Sequence, residues 1–219
     1  MPRALFEKRG NAVWMSHLDL MRLFQRAFKR AGVKLTHTQG FNPRPSVSIA
    51  LPLSVGIESG CELLDFDLDG QKPGNEEICQ KLNEVLVDGV QVLSVYDDGA
   101  KIKHLALLDV KVCLEYDSGI PAQGLEEIEQ LFRRKELLVE KKGKNGTVQQ
   151  DIIPMIRAIR VKVLDDNQLQ LMARICCQNP TLNPMQLSSA IEVYLPHLTP
   201  DFVRCSRIEI YDINENLFR

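Results

Sequence analysis

Residues 62–69 read ELLDFDLD, and no other stretch constrains the fold as tightly. Leu64, Phe66 and Leu68 alternate with Asp65, Asp67 and Asp69. Hydrophobicity of period two belongs to a strand with one face in a core and the other in water. The pattern then changes period. NEEICQKLNEVL at 75–86 brings Ile78, Leu82, Val85 and Leu86 to one side of a helix, and VQVLSVY at 90–96 returns to a strand. Upstream, RALFEK at 3–8 reads as a strand, Val13 and Trp14 lead into a helix from His17 to Ala31, and VSIALPL at 47–53 reads as a strand. The succession strand, helix, strand, strand, helix, strand predicts a ferredoxin-like (βαββαβ) unit with an antiparallel sheet.

The second half repeats this succession with insertions. Strands are expected at 107–116, 137–142, 159–164, 168–176 and 204–213, with helices at 125–134 and 185–195, the latter with Pro184 suited to its first turn. KKGKNGT at 141–147 has the character of an exposed hairpin tip, and DDGAKIKH at 97–104 that of a linker. The expected fold class is α+β, with one ferredoxin-like unit over residues 1–98 and a second over 105–219.

Composition narrows the functional classes. The chain has 219 residues, 44% hydrophobic and 26% charged, which suits globular units with buried cores. No apolar run reaches the roughly 18 residues of a membrane span, and MPRALFEKRG has no apolar centre for a signal peptide. A cytoplasmic protein without membrane association is expected. The six cysteines show no two-residue spacing and the four histidines are scattered, so neither a metal nor a cofactor is expected. The adjacent Cys176 and Cys177 fall in a strand pattern and should point to opposite faces.

Charge is unevenly spread. Residues 1–60 carry nine Lys and Arg against three Asp and Glu, while residues 61–100 carry two against ten. Either the two segments form separate surfaces or one domain compensates itself.

Within the basic segment, Ser16, His17 and Asp19 do not form a nucleophilic triad, because neighbours at i and i+1 on a helix do not face each other. Ser16 fits an N-cap, Asp19 the reciprocal member of a capping box, and Met15 with Leu20 a staple. His17 is expected to be exposed in the first turn, where anions collect. Leu20, Phe24, Ala27, Phe28 and Ala31 form an apolar stripe, and Arg22, Arg26, Lys29 and Arg30 a basic face on which only Asp19 offers a partner. A charge run of this kind is ordinarily a solvated face; the lack of partners favours an external anion.

The loop TQGFNPRPSVS at 38–48 is stiff. Gly40 permits unusual backbone angles, Pro43 and Pro45 fix their own, and each forces Asn42 or Arg44 toward extended conformations. Arg44 is therefore presented on a rail, and preorganisation lowers the entropy lost on binding. Phe41 either stacks on a base or anchors the loop. A rigid turn with no ligand is the competing reading.

SHLDLMRLFQRAFKRAG followed by TQGFNPRPSVSIALPLSVGIESGCELLD resembles the opening of the uncharacterised radical SAM-linked protein family, a bacterial domain of unknown function. The resemblance is dense through residues 13–69, and RICCQNPTLNP at 174–184 and RIEIYD near the end are compatible with it. It implies a context: such domains occur fused to, or encoded beside, radical SAM proteins. It carries no established activity. The chain has no CxxxCxxC motif and so is not by itself the radical enzyme.

Three functions follow as expectations. The favoured one is an accessory domain binding RNA or another polyanion through His17, Asp19, Arg22, Arg26, Arg30, Phe41, Asn42 and Arg44. The second is an enzyme acting on RNA or a small anion, with Asp19, His17 and Arg44 as acid, base and anion clamp. The third is a docking partner of a radical SAM protein. An RRM-type aromatic signature is absent from the sequence.

Overall fold

The computed structural model describes residues 1–70, 72–143 and 146–219, apart from the side chain of Lys142. The chain divides into two compact units, Met1–His104 with Phe218–Arg219, and Leu105–Leu217.

In the first unit β1 (Arg3–Lys8), α1 (His17–Arg30), β2 (Val47–Ala50), β3 (Glu58–Phe66), α2 (Asn75–Asn83) and β4 (Val90–Tyr96) follow one another. Its strands pair antiparallel in the order β4-β1-β3-β2. One core joins Ala4 and Phe6 of β1, Leu64 and Phe66 of β3 and Val92 of β4 to both helices. Phe6 meets Phe24 edge-on at 4.7 Å between ring centroids, and Phe28 meets Phe66 at 4.8 Å. These pairs dock α1 and turn its opposite side to solvent.

Boundaries differ from the sequence expectation where single residues intervene. β2 stops at Ala50 because Leu51 adopts φ 47° and Pro52 has no N–H for the ladder. α2 stops at Asn83, whose amide donates to the Val92 carbonyl and accepts from the Val92 N–H, both at 2.8 Å. The segment 97–104, expected as a linker, packs onto the first unit and ends at the boundary between the units. Arg3 donates to the Ala100 carbonyl at 2.9 Å, the Ala100 N–H donates to the Arg219 carbonyl at 2.7 Å, and a side chain at Gly99 would collide with the Arg3 guanidinium.

The second unit runs β5 (Leu105–Glu115), α3 (Gly124–Phe132), β6 (Leu138–Gly143), β7 (Gly146–Asp151), β8 (Ile156–Asp165), β9 (Gln168–Cys176), α4 (Met185–Tyr194) and β10 (Phe202–Asp212). Its main strands pair antiparallel in the order β10-β5-β9-β8. β6 and β7 form a separate hairpin closed at Gly143 and Gly146. Residues 144 and 145 of the expected tip lie outside the described residues. Tyr194 Oη accepts from the Leu138 N–H and donates to its carbonyl, at 3.1 and 3.2 Å, tying the hairpin to α4. The protein is thus a mixed α/β fold built on antiparallel strands. Among the described residues no helix is long and apolar enough to cross a membrane.

Candidate functional site

The start of α1 is organised by its cap. The Ser16 hydroxyl accepts from the Asp19 N–H at 3.2 Å and donates to the Asp19 carboxylate at 2.6 Å, and the Ser16 N–H donates to the same carboxylate at 3.3 Å. The Ser16 hydroxyl, then its N–H, hold the Asp19 carboxyl below the usual range. Arg22 lies 3.6 Å from Asp19 in an exposed pair. Asp19 is therefore an ionised capping group, poorly placed to act as a general acid at neutral pH. His17, expected to be exposed, is half-buried, and its Nδ1 is shielded from solvent without a hydrogen-bond partner among the described residues.

Further along α1 the cations separate into two kinds. Arg30 donates to the Val85 carbonyl at 2.6 Å, so part of its guanidinium serves the fold. Arg26 and Lys29 are exposed, and their side chains make no hydrogen bond or ion pair among the described residues; the same holds for Lys34 and Arg44. At 100° per residue, Leu18, Arg22, Gln25 and Lys29 share one side of the helix with Arg26 at its margin.

The loop that follows is a stem with a projecting tip. The Ser46 N–H donates to the Thr36 carbonyl and the Thr38 N–H to the Arg44 carbonyl, both at 2.8 Å, and the Arg44 N–H reaches Thr38 Oγ1 at 3.1 Å. His37 and Pro45 form a bridge, and the Thr36 N–H and Asp67 carbonyl join the stem to the end of β3 at 3.0 Å. Gly40 turns the tip at φ 139°, where a side chain is strained. Phe41 is fully exposed, so it does not anchor the loop; Asn42 and Arg44 are exposed beside it.

An open groove of about 500 Å³ runs between the second half of α1 and this stem, walled by Gln25, Phe28, Lys29, Lys34, His37 and Asp69. Neither His17 nor Asp19 is among its walls, so it does not assemble the triad of Asp19, His17 and Arg44. Lys34 and His37 escaped the sequence reading. The signal was the burial-compatible alternation around Leu35, which leaves Lys34 outward.

Basic and acidic segments both fall in the first unit. Arg3 binds Asp65 through two nitrogens, at 2.5 and 3.1 Å, and Lys72 pairs with Asp97. Compensation is therefore real but local: on the outer side of α1 it reaches Arg22 through Asp19 and leaves Arg26 and Lys29 without a partner among the described residues. All six cysteines are free, with Cys79 half-buried and the others buried; Cys176 and Cys177 are both enclosed. Burial pushes the Cys177 and Cys205 thiols up to about 12. Among the described residues no group of three or more His, Cys, Asp or Glu is placed to hold a metal ion.

These features define a two-unit α/β protein with a cationic helix face and a projecting aromatic loop on its first unit. The chain belongs to the family described as an uncharacterized protein conserved in bacteria, DUF2344, whose model matches residues 2–184. That description names a bacterial domain and does not extend to radical SAM chemistry. No curated protein matches the chain. Among solved structures, a chain of a Cbf5-Nop10-Gar1 complex is similar at 7% identity and a TM-score of 0.51, covering 95% of this chain and 48% of that one. The present chain thus spans about half the length of that one, and the likeness is one of fold. An unknown protein from Galdieria sulphuraria is similar at 11% identity and a TM-score of 0.27, covering 94% of this chain and 96% of that one.

Proposed function

We propose that the first unit binds RNA through its phosphates, using Arg22, Arg26 and Lys29 on α1 and Arg44 on the loop, as an accessory domain to a radical SAM protein. The observation that carries the RNA reading is the set of exposed cations without partners among the described residues, Arg26, Lys29, Lys34 and Arg44, on a helix and the segment after it whose backbones are already held. Exposed cations on rigid elements meet a phosphate chain with little ordering cost. The radical SAM association rests on the sequence resemblance alone. The pairing orders β4-β1-β3-β2 and β10-β5-β9-β8 support reading the two units as tandem ferredoxin-like folds, the second carrying the β6–β7 hairpin as an insertion.

The enzyme reading has less support, because Asp19 is engaged by Ser16 and Arg22. Titration of RNA at several salt concentrations tests the proposal. Affinity should fall with salt at a log–log slope of about 0.7–0.9 per phosphate neutralised. The double variant Arg26→Glu, Lys29→Glu should flatten that slope and weaken every RNA sequence alike. Absence of RNA binding at low salt would leave a protein-docking role in its place.

A further inference from the structure

We infer that the RNA engaged by this face is single-stranded, and that Trp14, just before α1, and Phe41, on the loop after it, each stack on one of its bases. This rests on the RNA reading above and adds the conformation of the ligand. The observation behind it is the placement of the two most anomalous side chains in the first unit. Trp14 closes the 3-10 turn Gly10–Trp14 just before α1 and is 67% exposed. Phe41 is fully exposed at the loop tip. Aromatic rings left in water forgo a large favourable burial, and here one precedes the cationic helix and the other tips the loop that follows it.

Trp14 is not merely loose. The Gly56 N–H donates to the Val13 carbonyl at 2.8 Å, and the indole lies against Gly56, 3.5 Å from where a Cβ would stand. One edge of the ring is propped on backbone, which leaves ring surface open as a prepared platform. Leu18 and Val55, both more than half exposed, extend that apolar ground. From there the stripe Leu18, Arg22, Gln25, Lys29 follows the helix toward the groove, whose far wall is His37 and Pro45 of the loop stem. α1 has 14 residues, so it is about 20 Å long at 1.5 Å per residue. A strand stacked at about 3.4 Å per nucleotide would lay roughly six along it.

In a duplex the base faces are stacked inside and the aromatic rings would meet only backbone. An unpaired strand offers a π-face at every nucleotide, and alternation of phosphate cations with stacking rings is how single strands are gripped without sequence readout. An acidic protein partner would match the charges and could also use exposed rings, and it is the reading left if no RNA binds at low salt.

The chain has one tryptophan, so its emission reports on Trp14 alone. The experiment titrates the full chain with a fluorescein-labelled single-stranded RNA of about ten nucleotides, long enough to overrun the stripe, and with the same RNA annealed to its complement. Anisotropy measures binding and tryptophan emission measures stacking. Single-stranded RNA should bind tighter and quench the emission, and duplex should do neither. Trp14→Ala and Phe41→Ala should each weaken the single strand by roughly 5- to 100-fold and leave duplex binding nearly unchanged. If both RNAs bind equally with unaltered emission, the stacking inference is wrong while the phosphate reading stands. If neither binds at low salt, the RNA reading itself fails. Should Trp14→Ala not fold, the wild-type emission and Phe41→Ala decide the matter.

Discussion

Ser16 and Asp19 show how much two residues settle. Replacing Ser16 with Ala removes the acceptor for the Asp19 N–H and should cost about 1 kcal/mol of stability, read from urea unfolding. Asp19 adds a pH dependence with a definite sign. Its folded pKa is depressed, so its contribution is complete above the unfolded carboxylate value and is lost as pH falls through the folded one. The stability gap between wild type and Asp19→Asn should therefore narrow as pH is lowered from neutral to about 3. Arg26 and Arg30 look alike in sequence and differ in use. Arg30→Ala loses the bond to the Val85 carbonyl and should lower the melting temperature, whereas Arg26→Ala should stay within about 0.5 kcal/mol of wild type.

At the scale of elements, α1 is oriented by what it buries. Phe24 and Phe28 are fully buried against Phe6 and Phe66, and the cations lie on the opposite side because 3.6 residues make a turn. Phe24→Ala should cost about 3–5 kcal/mol, measured by denaturant unfolding, and should abolish RNA binding with the fold. The loop after α1 is held by its stem rather than by its prolines alone. Thr38→Val removes the acceptor for the Arg44 N–H, and should weaken RNA binding with little change in global stability, as compared by RNA titration and melting.

At the scale of the molecule, net charge is a poor guide. The formal value is −2, yet exposed cations persist at Arg26 and Lys29 because neutralisation happens inside particular pairs, Arg3 with Asp65, Lys72 with Asp97 and Arg22 with Asp19. Binding governed by those cations should respond to salt while folding does not, since the core is apolar. The thiols offer an independent check on burial. Five of six cysteines are buried, so a thiol reagent at mildly alkaline pH should label the native protein slowly and the urea-unfolded protein at once.

Local pattern was legible without coordinates wherever the deciding interactions span a few residues. The alternation at Leu64 and Phe66, the apolar stripe of α1 and the capping box of Ser16 and Asp19 are all of this kind, because period and capping act between near neighbours in the chain. The basic face of α1 and the stiffness of the loop at Gly40, Pro43 and Pro45 were equally visible. Tertiary structure decided the rest. It tied Asn83 at the end of α2 to Val92, and it held Ala100 with Arg3 and Arg219. It also engaged Arg30 and left Arg26 and Lys29 without partners among the described residues, shielded His17, and exposed Trp14 and Phe41. A side chain's type states what it can bind, but only residues distant in sequence determine whether that capacity is already used or still faces solvent.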